Sequence, residues 1–216
     1  MAAAHRAREV SGREGVLVAG SLSQMCPMAP ASDRSDLDRE PPPDVMRDAF
    51  HELAGLLCDA GCDLLLLEMM YYPHRIPLVL EAALATGLPV WVGFAVRRDN
   101  QGEIVSFENE RSIPLIDMLS VLDLANVQAA GFMHSPADVI AEATAHLKRR
   151  YHGPLMAYPD SGYFRMPSWQ FKDVIEPEVL VEFAHARVDD GVQVLGGCCG
   201  LSPEHIAALR EAFRED

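Results

Sequence analysis

The chain has 216 residues, 49% of them hydrophobic, with 18 basic against 32 acidic side chains and a formal net charge of -14. That length is enough to bury one sizeable core in a single domain, and the acidic balance argues against nucleic acid or an anionic membrane as partner, leaving a small molecule. No apolar run approaches a membrane span and residues 1–15 are too charged for a signal peptide, so the expected location is the cytoplasm, where five cysteines stay free or bind metal.

In chain order, residues 1–14 read as the tail of a helix, and Val16 to Ala19 as a short buried strand opening into a loop at Gly20-Ser21. Ser23 to Pro43 is a long loop rich in Pro, Asp and Ser. Asp44 to Ala60 repeats Met46, Phe50, Leu53 and Leu57 on one helix face, and Gly61 closes it. Cys58 and Cys62 lie four apart, but Cys62 falls beyond the terminating glycine, which favours two separate buried thiols over a metal pair. Asp63 to Leu67 is a fully buried strand that ends at Glu68. A carboxylate at a strand's carboxyl end is read either as a substrate contact or as one half of an ion pair.

His74 to Thr86 forms the next helix, stopped by Gly87, and Pro89 to Val96 the next strand. Arg97 to Ser112 is a polar loop, Ile113 to Leu124 a helix, and Val127 to Phe132 a strand running into Met133-His134-Ser135. Pro136 opens a helix through Arg150, and Leu155 to Tyr158 is a strand followed by Pro159-Asp160-Ser161-Gly162. The aromatic loop beyond it, with Tyr163, Phe164, Trp169 and Phe171, either covers a pocket or packs itself down. Pro177 to Val188 is helical.

The last unit is the most distinctive. Val192 to Leu195 alternates as a strand and runs into Gly196-Gly197-Cys198-Cys199-Gly200, after which Ser202, Pro203 and Glu204 open a helix. The Cα atoms of adjacent cysteines are about 3.8 Å apart, below the disulfide range, so two thiolates aimed at one soft cation are the better use of the pair than a strained bridge. Two small buried hydrophobes are the plainer alternative. Six short apolar strands alternating with helices predict a parallel α/β fold, and the missing dinucleotide-binding glycine fingerprint after the first strand favours a barrel over a doubly wound sheet.

Val18-Ala19-Gly20-Ser21, Leu65-Leu66-Leu67-Glu68, Tyr158-Pro159-Asp160-Ser161-Gly162 and the run from Gly196 to Ile206 together resemble the homocysteine S-methyltransferase family, in order from about Arg8 to the C-terminus. The resemblance implies an incomplete (β/α)8 TIM-type barrel in which the six strands correspond to strands three to eight, so that residues 1–216 form one homocysteine-binding-like domain lacking the first two βα units. It also implies zinc, held in the family by two thiolates of the Gly-Gly-Cys-Cys-Gly motif and a third from an Asn-Cys at the end of the sixth strand. Here Met133-His134 stands in the place of that Asn-Cys and Tyr158-Pro159-Asp160 in the place of a Tyr-Pro-Asn. The implied ligand set is therefore Cys198, Cys199 and His134, with Glu68 taking the substrate amino group; the alternative for His134 is a surface residue standing in place of a lost ligand.

The leading expectation is zinc-dependent transfer of a methyl group from a small-molecule donor to homocysteine, giving methionine. The alternatives are a non-catalytic zinc- or thiol-binding member, a fragment that needs a partner, or a truncated product without function. Two open sheet edges would favour a homo-oligomer, with apolar residues such as Val16 to Val18 and Val192 to Leu195 meeting water in the open interior.

Overall fold

The computed structural model describes residues 2–12, 15–24, 27, 29–30, 35–108, 111–165 and 168–214. Its main sheet contains β1 (Ala19–Ser23), β2 (Leu64–Met70), β3 (Val90–Phe94), β6 (Ala129–Pro136), β7 (Leu155–Asp160) and β10 (Val192–Leu195), neighbours in that order. Every neighbouring pair is parallel. Strand order therefore follows chain order with no reversal, as in a barrel wall and unlike a doubly wound sheet. β1 and β10 do not pair with each other, so the sheet stays open.

Helices α1 (Ala2–Ser11), α2 (Pro43–Asp59), α3 (Ile76–Leu84), α4 (Leu115–Ser120), α5 (Ala137–Leu147), α6 (Pro177–Asp189) and α7 (Pro203–Ala212) alternate with these strands. α2 shows how the local signals act. Pro43 occupies its first position, Asp44 favours the positive end of the dipole, and Met46, Phe50, Ala54 and Leu57 form its buried stripe. Gly61, at φ +78°, takes the left-handed conformation that ends it.

Alternation along the strands separates two faces. Leu65 and Leu67 of β2, Val90, Val92 and Phe94 of β3 and Phe132 of β6 are buried in one cluster with residues of α2, α3 and α5. Leu64, Leu66 and Met156 form a second cluster with half-buried Trp91, Tyr158 and Val194, and among the described residues no helix contributes to it. The first is the sheet–helix core, the second the wall that faces a barrel interior.

Several boundaries differ from expectation. β1 starts at Ala19, not Val16, because its partner β2 starts at Leu64; Val16 and Leu17 are exposed. Val18 and Val192 are buried, contrary to the expectation that both would meet water, while Val194 is half-buried. The segment read as a polar loop, Arg97 to Ser112, contains an antiparallel hairpin of β4 (Val96–Arg98) and β5 (Ile104–Ser106). β8 (Tyr163–Arg165) and β9 (Ser168–Gln170) form another inside the aromatic loop. Phe171 there is exposed, while the side chains of Tyr163, Phe164 and Trp169 lie outside the described parts. No helix is long and apolar enough to cross a membrane among the described residues.

Candidate active site

The carboxyl ends of β6, β7 and β10 bring together residues far apart in sequence. Cys198 Sγ lies 3.4 Å and Cys199 Sγ 3.3 Å from His134 Nδ1, and the three ligand atoms all fall within 4.8 Å of one another. These are the three residues expected to share a metal.

His134 reaches the cysteines through an unusual backbone. By strict alternation after Met133, its side chain would point into the helix layer. Instead its φ is +48°, and the register between β6 and β7 slips between Met133 and Ser135. A non-glycine residue in the left-handed region is uncommon, and a bulge at a strand end re-aims a side chain. The ring of Phe107, which follows β5, meets the imidazole edge-on at 4.5 Å between centroids.

The Cys-Cys turn is pinned on the other side. Cys198 N–H donates to the Pro159 carbonyl at 2.9 Å, and Ser161 N–H donates to the Cys199 carbonyl at 2.8 Å. At Gly200 a Cβ would stand 2.0 Å from the Ser161 carbonyl oxygen, and φ is +83°. This glycine serves the close packing of two chain segments.

The two thiols are unequal. The hydrogen bond between them, with burial, pushes Cys198 far above the usual thiol range, and the same bond holds Cys199 below it. Two adjacent thiols beside an imidazole nitrogen are a donor set that fits zinc. A tetrahedral site with Zn–S near 2.3 Å and Zn–N near 2.0 Å has S···N edges of about 3.5 Å, close to the 3.4 and 3.3 Å present. Three protein donors would leave one position of a tetrahedral ion open. Among the described residues, no other cluster of this kind forms, and Cys58 and Cys62 belong to none.

Glu68 lies inside β2, which runs on to Met70 instead of stopping at Leu67, and accepts a hydrogen bond from the Ser21 hydroxyl of β1. Among the described residues no Lys or Arg pairs with it. Tyr158 lies near enough for the Glu68 charge to add to burial in raising the phenol above its ordinary value. Met69, next in the chain, is again left-handed, at φ +59°, where the β2–β3 register slips between Leu67 and Met70.

Two features escaped the sequence reading. Asp160, read only as a departure from a motif, is pushed up by burial, partly offset by His134, and its charge acts on Cys199. Behind Glu68, the Gln24 side chain donates to the Met69 carbonyl and accepts from Tyr72 N–H, while the buried Arg75 guanidinium donates to Gln24 O and to Glu40. A buried arginine beside a proline-rich loop carries no local sequence signal.

A family model described as homocysteine S-methyltransferase matches residues 1–213. The chain belongs to the homocysteine S-methyltransferase family. It is 25% identical over 228 residues to betaine–homocysteine S-methyltransferase 1 of Danio rerio, covering 97% of this chain and 53% of the fish protein. Homocysteine S-methyltransferase 2 of Zea mays is 25% identical over 210 residues, covering 93% of this chain and 59% of the plant protein. The chain thus spans about half the length of the curated relatives it matches. Among solved structures, the homocysteine methyltransferase MmuM from Escherichia coli in its apo form superposes with a TM-score of 0.67 at 24% identity, over 96% of this chain and 68% of that one. Its metallated form gives 0.66 at 24% identity, over 96% and 66%. These likenesses support the barrel-type fold of this family member.

Proposed function

We propose that this member of the family transfers a methyl group to the sulfur of homocysteine, with zinc held by Cys198, Cys199 and His134. The observation that carries the reading is the convergence of two thiols and an imidazole nitrogen within 4.8 Å at the strands' carboxyl ends. The relatives' names supply the substrate, and one E. coli neighbour is described in a metallated form.

When bound, zinc lowers the pKa of a thiol that joins it, making a thiolate available near neutral pH. The chain's own residues do the rest. Glu68, fixed by Ser21 and by the Met69 bulge, offers a carboxylate to the substrate ammonium. Phe107 packs its ring against His134 and helps hold the imidazole in place. Asp160, whose carboxyl burial pushes up, lies close enough for its charge to act on Cys199.

The test combines zinc content with a methyl-transfer assay using homocysteine and several small donors, betaine and S-methylmethionine among them. One zinc per chain with methionine formed is the expected result. A chain that holds no zinc contradicts the site, and one that holds zinc without turnover supports a second reading. That reading, a metal- or thiol-binding member without catalysis, draws on the open sheet, in which β1 and β10 each have one pairing partner. Self-association through those edges belongs to it, and light scattering checks it.

A further inference from the structure

The Cys198-Cys199 turn sits inside a closed circuit of hydrogen bonds. The Cys199 carbonyl accepts from Ser161 N–H at 2.8 Å. The Ser161 hydroxyl oxygen accepts from Ile175 N–H at 3.0 Å, and the Ile175 carbonyl accepts from His205 Nε2 at 2.7 Å. His205 Nδ1 accepts from Ser202 N–H at 3.1 Å, and Ser202 lies three residues beyond Cys199 in the chain. Ser161 and His205 are buried, at 8% and 6% exposure.

The circuit sets the chemistry of His205. Nε2 must carry a proton to meet a carbonyl, and Nδ1 must be bare to meet an N–H, so two backbone groups select one neutral tautomer. His205 occupies the third position of α7, where a Glu or Gln ordinarily closes a capping box. A carboxylate there would reach Ser202 but could not donate to Ile175. The imidazole does both, and so ties the start of α7 to the segment before α6.

We propose that His205 is a positioning residue for the metal site, acting with Ser161 to hold the Cys198-Cys199 turn against the end of β7. The proposal rests on the zinc reading. Its basis is that the circuit touches no metal donor atom yet fixes the backbone that follows the two thiols, from the Cys199 carbonyl to Ser202. Groups that hold ligands in place typically matter by about 10- to 100-fold in metal affinity.

Zinc dissociation constants by chelator competition, and absorption spectra of the cobalt-substituted full chain, are compared for wild type, His205→Ala, His205→Gln and Leu209→Ala. Leu209 lies on the same helix, is 6% exposed and packs on Leu180 and Ala184 without joining the circuit. His205→Ala is expected to weaken zinc by about 10- to 100-fold and to change the sulfur-to-cobalt charge-transfer bands. Leu209→Ala is expected to lower the melting temperature while leaving affinity and bands as in wild type. His205→Gln, whose amide keeps one acceptor and one donor, should recover part of the affinity. Wild-type affinity and bands in His205→Ala overturn the proposal. If that variant does not fold, Ser161→Ala, which strands the Ile175 N–H, takes its place with the same two outcomes. Failure of wild type to bind zinc at all is a separate result, which overturns the site reading itself and the proposal with it.

Discussion

On the helix side of the sheet Leu65, Leu67, Val92, Phe94 and Phe132 are fully buried, whereas on the opposite side Leu64, Leu66 and Met156 form a small buried cluster and Trp91, Tyr158 and Val194 are left half covered. The same strands supply both. One face is continuous apolar packing; the other carries Ser21, Glu68 and Tyr158 and leads to the His134, Cys198 and Cys199 cluster. The difference teaches that stability and chemistry are placed on opposite sides of one sheet. Substitutions on one side should move melting, and on the other side binding.

The largest effect is expected at the cysteines. Cys198→Ala or Cys199→Ala should abolish zinc retention and methyl transfer while the metal-free melting temperature moves by no more than about 2–4 °C, as for a change below about 1 kcal/mol. A collapse of the metal-free fold in either variant breaks the separation. On the helix side, Phe132→Ala should cost about 3–5 kcal/mol in urea unfolding, because a fully buried ring leaves a cavity. Zinc affinity per folded chain should stay as it was.

Glu40→Gln tests a tie between the two sides. Arg75, 1% exposed, pairs with Glu40, and removing the carboxylate strands a buried cation at a cost of about 3 kcal/mol. Burial pushes Glu40 up, but hydrogen bonds from His74 and Arg75 more than offset this and hold it below the usual carboxylate range. A depressed folded pKa means the stabilisation is complete above the unfolded value, about 4.3, and is lost as pH falls through the folded value. Acid unfolding curves of wild type should therefore show a loss below about pH 4 that Glu40→Gln lacks. The smallest effect belongs to Glu68→Gln: a rise of about tenfold in the KM for homocysteine, worth about 1.4 kcal/mol, with kcat and melting little changed. An unchanged KM removes Glu68 from the substrate site.

Much of this arrangement was legible in the sequence. Six short apolar runs gave six parallel strands in chain order, and the Gly-Gly-Cys-Cys-Gly run marked the end of the last one. The cysteines could be read because adjacent thiols between glycines have few other uses. His134 could be placed beside them only through resemblance, since the turn of its side chain depends on a left-handed residue that nothing local announces. Bulges at glycine are visible in a sequence; these, at Met69 and His134, are not. The hairpin at Val96–Arg98 and Ile104–Ser106 was hidden for a related reason: each strand has three residues, too few for alternation to register. Arg75 and Gln24 were missed because their partners are mostly backbone groups brought near by the fold.

The central claim is that Cys198, Cys199 and His134 share one metal. X-ray absorption at the zinc edge of the loaded chain, in wild type and in His134→Ala, tests it most directly. Two sulfur scatterers at about 2.3 Å with an imidazole contribution in wild type, and loss of that contribution with weaker zinc retention in His134→Ala, is the predicted result. Identical spectra and equally tight zinc in both proteins would contradict it.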